Sequence, residues 1–253
     1  KFDSANDKDR FTLKVPKRWF KHFYVFGTIW VSLFLVTSAS YYFQLMNTIP
    51  GPIKNCISYF SSDGNIATVT AAESLLALLL LTFQVFKRYY ETHYVSVFSN
   101  SKMHIGHYYL GFFHYFSVTI AIVMEAPGFS HSDHFEAALH TRDLSYKTLI
   151  SSLIFFWAWR KQFESTSILA NLRKNKKGEA ITDAHLVPNG GLFIYVSNPH
   201  SLCEIIMYLC LTIIISGNTI FPFVLAWVVT NQIESALLSH WWYQKTFKNY
   251  PKE

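Results

Sequence analysis

Apolar residues in this chain come in long runs separated by shorter polar stretches. Six runs, at 23–47, 66–86, 105–124, 146–160, 201–217 and 219–239, approach the roughly 20 apolar residues that a helix needs to cross a bilayer core. The fourth and fifth are short for that task, so their ends are the least defined. The pattern predicts an all-α integral membrane protein, a helical bundle with about six spans. No internal repeat or low-complexity tract divides it, so residues 1–253 read as a single transmembrane domain.

Two polar stretches lie against these runs. Residues 187–204 read VPNGGLFIYVSNPHSLCE, a Gly/Pro/polar segment that runs straight into an apolar helix. Residues 239–251 read SHWWYQKTFKNYP at the end of the last run. Titratable groups at the edge of hydrocarbon are expensive to keep, which points to a reaction site rather than to packing alone.

Composition agrees with the run pattern. Hydrophobic residues make up 51% of the chain and charged residues only 15%, well below the roughly 25% of a soluble domain. The basic residues are unevenly spread. With six spans, alternate loops carry 19 Lys/Arg on one side and 3 on the other. That is the positive-inside asymmetry, and it places both ends of this chain in the cytosol. The net charge of +6 is accounted for by anionic lipid headgroups and needs no nucleic acid. Cys56, Cys203 and Cys210 form neither a disulfide framework nor a metal quartet. His131, Ser132, Asp133 and His134 lack a fourth ligand and read as a plain polar loop, so no metal site is expected. Residue 1 is Lys, and the chain is expected to begin inside a longer one.

Several polar residues have both a chemical and a structural reading. Arg173 and its lysine neighbours suit phosphate recognition, because guanidinium pairs with phosphate in a fork; positive-inside topology explains the same charges. No GxGxxG or GxxxxGK[ST] occurs, so neither a Rossmann site nor a P-loop is available. His200 and Glu204 are four apart and share a helix face, with Asn198-Pro199 marking the helix start. They would grip a polar ligand such as an amide, or pair internally to hold helices together. His240 and Tyr243 share a face at the end of the last run, beside the interfacial aromatics Trp241 and Trp242. His22 and Tyr24 lie at the mouth of the first span. Arg88 and Glu91, at the end of the second, suit headgroup contacts. Glu73, read as deep in the second span, and Glu234 in the last are further costly carboxylates.

In five ordered blocks the chain resembles the steroid 5α-reductase family, and within it the polyprenol reductase branch, especially its fungal members. The blocks are VPKRWFKHFY at 15–24, KRYYETHYVSVFSNSKMH at 87–104, ILANLRKNKKG at 168–178, VPNGGLFIYVSNPHSLCEIIMY at 187–208 and SHWWYQKTFKNYPK at 239–252. The resemblance implies a seven-helix endoplasmic-reticulum membrane reductase that uses NADPH from the cytosolic side. An N-terminal helix and the extreme C-terminus are then expected to be absent here. It further implies that Arg88, Gln162, Arg173, His185, His200, Glu204, His240 and Tyr243 contact the cofactor, with Glu204 holding the nicotinamide amide. The steroid branch polarises its substrate ketone with a Glu and a Tyr. Here His22 stands near the first position and Val85 near the second, so the usual steroid pose is not expected and His22 or Tyr24 becomes the candidate proton donor.

The expected reaction is reduction of the α-isoprene double bond of a polyprenol or polyprenal in dolichol synthesis, which supports protein N-glycosylation. Hydride adds only to an electron-poor carbon, so the conjugated aldehyde is the expected direct substrate, its oxygen held by hydrogen bonds. Other expected partners are membrane lipids. Two alternatives stay open: reduction of a sterol enone or a 2-enoyl thioester, and a non-enzymatic lipid-binding or scaffold role.

Overall fold

The computed structural model describes residues 13–61, 66–98, 101–130, 137–175, 186–248 and 250. Seven α-helices dominate them: α1 (Phe20–Tyr42), α2 (Gly51–Phe60), α3 (Ala71–Tyr90), α4 (Ile105–Val123), α5 (Tyr146–Asn171), α6 (Pro199–Ile214) and α7 (Phe221–Thr246). Six of them fall on the six apolar runs. The seventh, α2, is a short helix in the first inter-run loop that buries Ile57 against the core. Two strands, β1 (Lys14–Pro16) and β2 (Lys102–His104), pair antiparallel and add a small sheet to the otherwise all-α architecture.

Local chemistry sets the helix ends. Thr70 and Glu73 form a reciprocal capping box at the start of α3: the Glu73 amide donates to Thr70 Oγ1 (3.2 Å) and the Thr70 amide to Glu73 Oε2 (3.0 Å). Glu73 therefore sits in the first turn, not deep in the span as the run pattern implied. A carboxylate here satisfies an amide with no intrahelical partner and meets the positive end of the helix dipole. Asn218 does similar work for α7, accepting from the amides of Ile220 (3.0 Å) and Phe221 (2.7 Å). Helix α5 continues past Arg160, where the apolar run stops, because good helix formers follow and Lys161 pairs with Glu164 at i, i+3 (2.8 Å). The extension carries Gln162 into the bundle, buried to 1%.

The helices pack as two groups. α1 lies against α3 and α4, α6 lies between α5 and α7, and the groups meet where α3 touches α5 and α6 and where α4 touches α7. Glycine permits the closest approach in the first group. A Cβ on Gly27 would stand 2.7 Å from the ring of Tyr115, and one on Gly111 would stand 2.5 Å from the ring of Phe23. Two helices, Lys17–Tyr42 and Phe221–Thr246, are long and apolar enough to cross a membrane. Large apolar side chains such as Ile29, Val36, Leu149, Leu153 and Phe223 are exposed on the outside of the bundle.

Candidate active site

The start of α1, the end of α3, the start of α4, the later part of α5, the start of α6 and the later part of α7 converge on one cavity of about 700 Å³. This is the end of the bundle that carries the basic loops. Past Tyr90, helix α3 widens into a π-helical turn, Glu91–Val95, in which the Ser96 amide reaches back to the Glu91 carbonyl (2.7 Å). Such turns recur at functional sites, and here Thr92 and Ser96 face the cavity.

Six of the residues singled out from sequence line it: Tyr24, Arg88, Gln162, His200, Glu204 and Glu234. Glu204 Oε2 accepts from Gln84 Nε2 (3.0 Å) and from Gln162 Nε2. Glu204 Oε1 has no partner among the described residues. Gln162 also donates to the His200 carbonyl (3.1 Å) and accepts from Lys87 Nζ (2.5 Å), whose ammonium in turn donates to the Trp159 carbonyl (3.0 Å). Lys87 thus stands behind Gln162 and Glu204 as a buried counter-charge. His200 Nδ1 is buried with no hydrogen-bond partner. Across the cavity, Arg88 Nε and Nη2 donate to the Tyr24 hydroxyl (3.3 and 3.0 Å), and Arg88 Nη1 pairs with Glu91. Glu91 is fully buried, so it holds Arg88 in place and is not the headgroup contact expected of it. Because Tyr24 accepts from Arg88, its own hydroxyl proton is free to point at a ligand.

The remaining sequence candidates lie elsewhere. His22 is exposed on another face of α1, with Nδ1 3.1 Å from the Tyr108 hydroxyl, and does not line the cavity. Arg173 donates to the Val97 carbonyl (2.8 Å), tying the end of α5 to the segment after the π-helical turn. His240 Nδ1 lies 2.7 Å from Ser197 Oγ, and Tyr243 stacks on Tyr250 (5.1 Å between centroids, 14° between planes), which also packs against the His240 ring. This second cluster adjoins the start of α6 through Ser197. His185, His131 and His134 lie outside the described residues. Among the described residues no group of three or more His, Cys, Asp and Glu could hold a metal ion.

Sequence reading missed Gln84, Lys87, His114 and Tyr208. Their common signal was available: each is a polar side chain within or at the end of an apolar run.

A family model described as 3-oxo-5-alpha-steroid 4-dehydrogenase matches residues 119–253. A Drosophila melanogaster protein named polyprenal reductase is 34% identical over 95% of this chain and 74% of its own length. A Caenorhabditis elegans protein of the same name is 35% identical over 95% of this chain and 77% of its own. A human one is 30% identical over 94% and 75%. The chain belongs to the steroid 5α-reductase family. It is therefore an oxidoreductase acting on a CH–CH group, and membership implies a nicotinamide cofactor. The cavity fits such a group. Its volume lies in the range of small-molecule sites, a carboxylate oxygen without a partner suits the two N–H donors of a carboxamide, and the orphaned His200 Nδ1 supplies a further polar contact beside it.

Proposed function

We propose that this steroid 5α-reductase family member reduces the α-isoprene double bond of polyprenal with NADPH, on the cytosolic face of the endoplasmic-reticulum membrane. The reaction serves dolichol synthesis and so protein N-glycosylation. The observation that carries the reading is the pairing, in one cavity, of a half-free carboxylate with a phenol whose proton is available. Relatives named polyprenal reductase across animals support the aldehyde as the direct substrate. Chemistry favours it too: the double bond of an allylic alcohol is not polarised, whereas that of a conjugated aldehyde is.

NADPH supplies the hydride. Glu204 binds the carboxamide through Oε1, with Gln84, Gln162 and Lys87 fixing the carboxylate, and His200 closes the same wall. Arg173, His240 and Tyr243 extend the cofactor site toward the phosphates. Tyr24, held by Arg88, donates its hydrogen bond to the aldehyde oxygen and stabilises the negative charge that develops there. His22, away from the cavity, is left to the surface. The isoprenoid tail leaves between α4 and α7, past Leu110, Trp227 and Leu238, exposed apolar side chains that line the cavity. The apolar outer stripes of α1, α5 and α7 then face lipid, since soluble proteins rarely expose contiguous apolar faces of this extent.

The test is purified protein with NADPH and either polyprenal or polyprenol. The expected result is saturation of the aldehyde alone. Equal turnover of the alcohol in the absence of any aldehyde would contradict the assignment.

A further inference from the structure

His200, Glu204 and Tyr208 are spaced at i, i+4 and i+8 on α6 and all line the cavity. Tyr208 lies one turn, about 6 Å, deeper than Glu204. Its hydroxyl is 2.6 Å from Nε2 of His114 on α4, which also lines the cavity. Tyr208 is 1% exposed, and its ring stacks on Phe221 (6.4 Å, 12°), so the phenol is fixed in place. Burying a phenol and an imidazole among Phe, Leu and Val costs more than burying two apolar side chains there.

We propose that Tyr208, with His114 behind it, delivers the proton to the substrate α-carbon. The assignment rests on the reductase reading above and goes one step further. The β-carbon receives hydride and forms its new C–H bond. The double-bond electrons move toward the oxygen, where Tyr24 holds the enolate by a hydrogen bond and keeps its own proton. The enolate pair then forms the second C–H bond, at the α-carbon, with the proton that leaves Tyr208. Hydride and proton together give the saturated aldehyde. In the tautomer protonated at Nε2, His114 donates to the phenol oxygen, leaves the phenol proton aimed at substrate, and holds the tyrosinate until water restores the proton. The cavity reaches water at exposed Lys17. Tyr208 is the catalytic residue in this step and His114 a positioning residue.

The experiment runs the reaction with polyprenal and NADPH in D2O. The product is reduced at once with borohydride, and deuterium at the former α-carbon is assigned to one prochiral position or both. The unaltered protein is expected to deuterate one face. Tyr208→Phe is expected to lower turnover about 100-fold and to deuterate both faces, because water then supplies the proton. Single-face deuteration by Tyr208→Phe, at whatever rate, would overturn the assignment. His114→Leu is the second variant, and it decides the matter if Tyr208→Phe does not fold. It should keep the single face, lose about tenfold in turnover and show a larger solvent deuterium isotope effect; an unchanged rate and isotope effect would overturn the proposal. Failure of the unaltered protein to saturate polyprenal would overturn the reading of the activity itself, which is a different result from either variant's.

Discussion

Glu125 and Glu204 are carboxylates at opposite ends of one bundle, and the protein treats them in opposite ways. Glu125 is 4% exposed and its oxygens are saturated by the protein: Thr68 Oγ1 (2.7 Å) and the Thr219 amide (2.8 Å) donate to Oε2, and Thr219 Oγ1 donates to Oε1. Around it the chain closes tightly. The Asn218 side chain bonds the Ala121 carbonyl (2.8 Å), and a Cβ on Gly217 would come within 2.2 Å of the Thr68 carbonyl oxygen. Glu204 is held through one oxygen only, and at the same end His200 Nδ1, Gln84 Oε1 and Glu91 Oε1 are buried without partners. Buried polar atoms without partners are rare in a finished structure. The Glu125 carboxylate is complete as folded, whereas the Glu204 carboxylate keeps an oxygen for something else.

That contrast can be broken from either side. The largest effect is expected at Tyr24. Tyr24→Phe removes the donor to the developing oxyanion and should lower kcat by about 100- to 1,000-fold, with NADPH affinity unchanged in a binding titration. Glu204→Gln should instead act on the cofactor. Removing a buried charge from a hydrogen-bonded pair costs about 2–4 kcal/mol, or roughly 30- to 1,000-fold in affinity, read as the dissociation constant for NADPH. Glu125→Gln should behave as the mirror image. It loses charge-assisted bonds to Thr68 and Thr219 and should destabilise the fold by about 1–3 kcal/mol, measured by thermal unfolding, while kcat per folded molecule stays as it was. The smallest effect belongs to His22. His22→Gln should change turnover by less than about twofold, as for a surface substitution away from any special contact. A 100-fold loss there would return the substrate-polarising role to His22 and undo the assignment to Tyr24.

The helices were legible in the sequence because long apolar runs leave few alternatives, and the cavity opens at the end of the bundle that carries the basic loops. His200 and Glu204 were readable as one face because they are local, four residues apart on a helix whose start Asn198-Pro199 announced. Helix ends were harder. Glu73 looked like a buried charge until its capping box with Thr70 became visible, since a cap and an interior carboxylate read alike within an apolar run. Gln84, Lys87, His114 and Tyr208 carry a sequence signal as polar side chains in or beside apolar runs, but their roles depend on partners far away in sequence: Gln84 with Glu204, Lys87 with Gln162, His114 with Tyr208. The separation of His22 from Tyr24 was legible in principle. Two residues apart on a helix, they point about 200° apart, and only one of them can face the cavity.

The most direct test of the contrast is a thermal shift with NADPH on the unaltered protein and on Glu204→Gln. The carboxylate at the open end is predicted to be a ligand group, so NADPH should raise the melting temperature of the unaltered protein and leave that of Glu204→Gln nearly unmoved at the same concentration. Equal stabilisation of both by NADPH would contradict the account.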